Sequence, residues 1–265
     1  MTKVKNDIRS TAKRFLNYRF LFDELVKRDF KQKYKRTVLG MVWSILSPLL
    51  MLGILYAIFG QFFGRGTSHY MIYLFSGQII YNYYVESTTE GMNALMSNAS
   101  IFTKINVPKY LFLFSKNISA LINFGIILFI YFVFVWNDGI SFTWKFFMLL
   151  YPVVCLIVIN LGIGLILSAL FIFFRDIQYL YRLFTQVVMY SSAIFYSINN
   201  LPQNIQNWFY LNPIFVCITY FRSVVIDNTI PSLSIHAILA NYAIVLLGIG
   251  CYVYKKYNYK FLYYV

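Results

Sequence analysis

The stretch Arg28–Trp43, RDFKQKYKRTVLGMVW, sets a dense block of cations directly against an apolar run. Arg28, Lys31, Lys33, Lys35 and Arg36 crowd its first half, and no Lys or Arg follows until Arg65. Such a junction marks a chain that stops at one face of a bilayer and then crosses it. Composition agrees. Of the 265 residues, 60% are hydrophobic, 21% aromatic and 12% charged, against about 25% charged in a soluble domain. A water-soluble core of this length does not enclose so much apolar surface, whereas a bilayer accepts it. The net charge of +14 is laid out as short basic blocks between apolar runs. It therefore points to membrane lipids and topology, not to nucleic acid.

A membrane helix needs roughly 20 mostly apolar residues. Segments 37–64, 117–137, 146–174, 183–221 and 228–254 contain no Asp, Glu, Lys or Arg, and 66–85 carries only His69. Prolines and polar residues interrupt 183–221, which leaves its first part as the span. The expected fold is an all-α integral membrane protein with six transmembrane helices, at about 38–62, 70–92, 115–136, 146–174, 182–200 and 233–254.

Six crossings return both termini to one side. The segments on that side, 1–37, 93–116, 175–182 and 255–265, hold 12, 3, 2 and 3 Lys/Arg, and the other side holds three, Arg65, Lys145 and Arg222. This bias predicts cytoplasmic termini in a multi-pass protein of the cytoplasmic (inner) membrane. The first 36 residues lack the short apolar region of a signal peptide, so the first span is expected to direct insertion. Residues 1–37 form a cytoplasmic segment and 38–265 the transmembrane domain. Within the former, Phe15, Tyr18, Phe22 and Leu25 recur at helical spacing with Lys and Arg elsewhere around the turn. That pattern predicts an amphipathic helix in the inner interface.

The outer stretch 199–231 is too long for a tight turn and too apolar in its middle for a solvated loop. It predicts a short re-entrant helical hairpin broken at Asn212-Pro213, which needs surrounding protein at membrane depth. Glu86 and Glu90 sit in the inner half of the second span among tyrosines. Carboxylates there are costly and must face the bundle interior or water. Tyr81, Tyr84, Glu86, Tyr190 and Tyr196 are the candidates to line a pathway, since tyrosine offers a ring face and a hydroxyl together.

Three isolated cysteines show no metal or redox spacing. There is no GxxxxGK(S/T) loop, so this chain has no such cradle for nucleotide. Nor is there an HExxH, GxSxG or paired-Asp motif. The chain is not expected to be an enzyme, and any ATP-driven work falls to another polypeptide.

The motifs together resemble the permease subunits of ABC-2-type polysaccharide exporters, the family that moves teichoic acids, O-antigens and capsular polysaccharides. The similar features are Arg28-Asp29, Lys33-Tyr34-Lys35, Leu39-Gly40, Trp43 and Pro48, then NASIFTKINVPKYLFLFS at 98–115, FFRDIQYL at 173–180 and LNPI at 211–214. One departure is Val107, where an aromatic residue commonly precedes the proline. The resemblance implies a permease for a lipid-linked polysaccharide, working as a homodimer with two ABC ATPase subunits that bind ATP and Mg; no cofactor belongs to this chain. It also implies a cytoplasmic coupling helix at about 98–110. Phe102, Thr103, Lys104, Ile105, Pro108 and Lys109 would contact the ATPase there, with Arg175 and Asp176 beside them. Arg28, Asp29, Lys31, Lys33, Tyr34, Lys35 and Arg36 would form an interfacial collar for substrate admission. The competing expectation is an ABC-2 permease for a drug or a simple lipid.

Overall fold

The computed structural model describes residues 18–34, 39–64, 68–199 and 201–264, and the regular structure within them is helical. In chain order the helices are α1 (Arg19–Tyr34), α2 (Val42–Phe63), α3 (Tyr70–Ser97), α4 (Ala99–Phe102) and α5 (Tyr110–Asn137). After a 3-10 segment (Trp144–Leu149) come α6 (Leu150–Phe173), α7 (Ile177–Ser191), α8 (Gln203–Phe209), α9 (Pro213–Val225) and α10 (Leu233–Tyr257). A last 3-10 turn covers Lys260–Tyr263.

Among the described residues four units are long and apolar enough to cross a membrane: α2, α5, Trp144–Phe173 and α10. The bent pair α8 and α9, angled at 105°, makes a fifth only if both arms are taken as one span. The other two predicted spans fall outside this set for different reasons. Helix α3 has 28 residues, about 42 Å at 1.5 Å per residue, so length is not its limit. Its sequence carries Gln78, Asn82, Ser87, Thr88 and two glutamates because it is the central post, with most of its side chains buried against protein. Helix α7 has 15 residues, about 22 Å, against roughly 30 Å of hydrocarbon. The span expected over 182–200 thus ends as a helix at Ser191. Ser191 and Ser192 bond back to Val188 O, and Ala193 takes a left-handed φ of 47°.

The two larger of three buried clusters among the described residues stack along the bundle. The larger joins α2, α3, α5, α6, α9 and α10 through Leu52, Phe75, Tyr83, Phe124, Ile159, Phe221 and Leu239. The smaller gathers Leu25 of α1, Phe102, Phe112, Ile172, Tyr254 and Phe261 at the other end. Helices α6 and α10 touch backbone to backbone: a Cβ on Gly162 would stand 2.5 Å from Leu246 C, and one on Gly250 would overlap Gly162. Small residues of this kind let helices meet where lipid supplies no hydrophobic drive. By contrast only 17% of the apolar windows of α2 and α10 is buried. Their outward faces are left for lipid or a partner.

Pro48 lies inside α2 and cannot donate to the preceding turn. Its own carbonyl receives Gln78 Nε2 of α3 at 3.0 Å, which ties the two helices at a polar point.

Candidate functional site

Arg28-Asp29 lie in the second half of α1, and the fold makes the pair a joint. The Asp29 side chain is 1% exposed. Its carboxylate accepts from Arg28 Nη2 at 2.7 Å and Nε at 3.1 Å, and from Ser115 Oγ of α5 at 3.1 Å. Lys116 Nζ of α5 stands 3.6 Å away and reaches Glu90 of α3 at 3.0 Å. A buried carboxylate is tolerated only with such compensation. Arg28 Nη2 also donates to Asn98 Oδ1 at 2.6 Å. Asn98 precedes α4 and donates to Ala94 O at 2.8 Å. One ion-pair cluster therefore binds α1, α3, α5 and the start of the 98–110 loop.

The remaining collar residues divide. Lys31 is exposed on α1. Lys33 and Tyr34 belong to the last turn of α1, while Lys35 and Arg36, like Phe15, lie outside the described residues. Tyr18 donates to Asn106 O at 3.3 Å, a second link between the start of α1 and the loop.

Within that loop α4 is a single turn. Thr103, Lys104 and Ile105 are exposed, and Pro108 is half-buried. Phe102, expected to reach outward, is 5% exposed and packs on Phe112 at 6.0 Å between ring centres. Lys109 folds back to donate to Asn258 O at 2.8 Å and lies over the rings of Phe102 and Phe261. Burial pushes its pKa below the ordinary lysine value. The outward set is thus Thr103, Lys104 and Ile105. Arg175 and Asp176 are exposed at the α6–α7 junction. Asp176 stands at the N-cap of α7 without a side-chain capping bond.

The lining candidates separate as well. Tyr81 donates to Thr185 O at 2.9 Å, pinning α3 to α7. Tyr84 is buried beside it. Tyr190 is 62% exposed, and Tyr196 bonds its carbonyl at 2.7 Å. Glu86 accepts from Asn123 Nδ2 at 2.8 Å and borders a cavity with Glu90, Lys116 and Arg28.

At the opposite end Asn212, of the LNPI motif, caps α9 by accepting from Ile214 N at 2.9 Å. Its amide donates to Ser191 and Ser192 at 3.1 and 2.9 Å. The hairpin is thereby fastened to the broken end of α7. Arg222, expected among outer charges, is instead buried at 7% exposure. It donates to Ala193 O at 2.9 Å and to Tyr73 O and Ile194 O at 3.1 Å, with its guanidinium 3.3 Å from the centre of the Tyr73 ring. The carbonyls freed where α7 stops find their donors there, as burial demands.

Asn98, Lys116 and Arg222 were not marked by sequence as members of a site. Lys116 and Arg222 carried one signal, a lone cation beside or within an apolar segment. Asn98 opens the stretch 98–115 that carries part of the resemblance, but nothing in that stretch singled it out.

The sequence profile described as ABC-2 type transporter matches residues 21–226. The chain is 26% identical over 254 residues to the O-antigen export system permease protein RfbA of Klebsiella pneumoniae, covering 92% of this chain and 96% of that one. Its identity to the protein of the same name from Myxococcus xanthus is 24%, covering 87% and 89%. With the polysialic acid transport protein KpsM of Escherichia coli it shares 24% identity, over 88% and 92% of the two chains.

Proposed function

Because this chain belongs to the ABC-2 type transporter family, we propose that it is the membrane permease of an ATP-driven exporter of a lipid-linked polysaccharide, of the O-antigen or teichoic acid type. One observation carries the reading: similarity to O-antigen and capsule permeases runs nearly end to end, 92% of this chain and 96% of the first relative. The cargo is thus inferred from whole-length relatives, and the inner charge cluster suits a chain that couples a cytoplasmic motor to a membrane path.

In this reading α3 supplies the second of six crossings; α7, too short to cross alone, supplies the fifth together with the non-helical residues 192–199 that follow it; α8 and α9 fold back from the outer face, and both termini are cytoplasmic in the inner membrane. Two copies form the conduit between them. Two ABC ATPase subunits, which hold ATP and Mg, dock below at Thr103, Lys104 and Ile105, with Arg175 and Asp176 nearby. Closure of the ATPases pushes this loop. Through Asn98, Arg28 and Asp29 the push reaches α1 and α5 together. Alternating access then lets the lipid-linked chain leave the inner leaflet and emerge outside.

Deletion of the gene, with complementation, tests the proposal. The expected result is loss of surface glycan, cytoplasmic accumulation of its lipid-linked form, and co-purification of the tagged chain with an ATPase. Normal surface glycan in the deletion strain overturns it. Drug sensitivity with normal glycan would indicate a drug permease instead.

A further inference from the structure

The 3-10 turn after α10, Lys260–Tyr263, buries Phe261 completely. On one side this ring meets the loop that precedes α5. Lys109 Nζ stands 5.7 Å from the centre of the Phe261 ring and 5.8 Å from that of Phe102, within reach of cation–π attraction. The same ammonium donates to Asn258 O, at the C-cap of α10, at 2.8 Å. A cation there answers a carbonyl that the helix leaves open and sits at the negative end of its dipole.

On the other side Phe261 meets Phe173, the last residue of α6, at 6.2 Å between ring centres. Tyr257 and Tyr264 pack on that ring as well, at 5.6 and 4.9 Å. These are the distances of true aromatic pairs. Phe102 leads directly into Thr103–Ile105, and Phe173 into Phe174, Arg175 and Asp176. The two places that would meet the ATPase, far apart in sequence, are therefore fastened to one turn. The turn itself hangs from a stiff body, because α10 and α6 meet at Gly162 and Gly250 with no room for a Cβ. Close-packed groups of this kind pass displacement on instead of absorbing it.

We infer that the turn Lys260–Tyr263 is a bracket that holds the two motor contacts at a fixed spacing, with Phe261 and Lys109 as its positioning residues. A push on Thr103–Ile105 then reaches the α6–α10 pair as well as α1 and α5, and carries Arg175 and Asp176 along with the loop. The inference rests on the ATP-driven export reading and adds how its two docking points act as one.

Two measurements on the complex purified with its ATPase test it. Spin labels on Ser100→Cys and Tyr179→Cys, both exposed, read the spacing of loop and junction in a Cys251→Ser background, since Cys155 and Cys217 are buried. The expected result is a single narrow distance peak, which Phe261→Ala broadens about twofold as the emptied site loosens. Lys109→Met should lower the glycan exported per ATP hydrolysed about fivefold, and Lys109→Arg, which keeps a cation and a donor for Asn258 O, should restore most of it. A peak of equal width with Phe261→Ala overturns the inference, and so does unchanged export per ATP with Lys109→Met. Should Phe261→Ala not fold, the width is read on Lys109→Met, where an unbroadened peak counts equally against the bracket. Labelled protein that recovers no ATPase or moves no glycan before any further substitution would instead indict the export reading; the label spacing, read on the chain alone, still decides the bracket.

Discussion

Arg28 Nη2 stands 2.6 Å from Asn98 Oδ1, although the residues are 70 positions apart. The same nitrogen is 2.7 Å from Asp29. The short loop that would meet a motor and the helix that carries the basic collar are therefore held by one guanidinium. Replacing Asn98 with Ala removes the link while leaving the Arg28–Asp29 pair. The expected outcome is retained ATP hydrolysis by the purified complex, within about twofold, with glycan export per ATP reduced about tenfold. Asn98→Asp keeps an acceptor for Arg28 and should restore most of the coupling. Export and hydrolysis measured on the same preparation check this; a parallel fall of both would mean a folding defect alone.

Asp29 itself holds the cluster together. Asp29→Ala leaves Lys116, at 13% side-chain exposure, and Arg28 short of a carboxylate. Breaking a buried pair costs about 3–5 kcal/mol. Glu90 still partners Lys116 and Arg28 is partly solvated, so a loss of about 3 kcal/mol is expected. Thermal unfolding in detergent and the amount of chain reaching the membrane read it directly.

Phe102 and Ile105 should part company. Phe102→Ala opens the inner cluster and should cost about 3 kcal/mol. Ile105 is 56% exposed, so Ile105→Asp should change stability by less than about 0.5 kcal/mol. It should nonetheless abolish recovery of the ATPase with the chain. Equal recovery with Ile105→Asp would remove this face from the proposed contact.

The buried arginine of α9 offers a separate test. Arg222→Met leaves Ile194 O without its donor and Ala193 O with only the Tyr73 hydroxyl at 3.4 Å, while Tyr73 O keeps Ser76 Oγ at 2.9 Å. A buried acceptor left unmet costs about 1–3 kcal/mol, so a loss of about 2–3 kcal/mol follows from Ile194 O unmet and Ala193 O weakened. The lysine variant has one nitrogen for three carbonyls and should recover only part. Protease sensitivity near residues 197–201 should rise with the methionine variant.

Gly162 and Gly250 set the spacing of α6 and α10. Gly162→Val drives a branched side chain into the backbone at Leu246. Overpacking costs about 1–3 kcal/mol where neighbours yield; backbone does not, so the upper end is expected. Gly248, whose Cβ would meet nothing within 4 Å, is the control: Gly248→Ala should stay near wild type in a detergent melt.

The sequence by itself determined that this chain is helical and made for a bilayer. Composition, charge-free lengths and the basic block at Arg28–Arg36 are local properties, and each carries its cost of water or lipid contact wherever it lies. The helix break at Asn212-Pro213 was legible for the same reason, whereas the helix expected over about 98–110 already ends at Phe102, before Pro108. Only the tertiary structure decided which charges are answered and by what. Arg28 finds Asn98, Lys116 finds Glu90, and Arg222 meets the carbonyl of Tyr73 from 149 residues away. The early end of α7 belongs with these. Ser191-Ser192-Ala193 contains neither Gly nor Pro, and the carbonyls of Ala193 and Ile194 just beyond the helix are answered by a buried guanidinium that arrives from a distant helix. Burial makes polar groups pair, and pairing partners are chosen by packing in three dimensions.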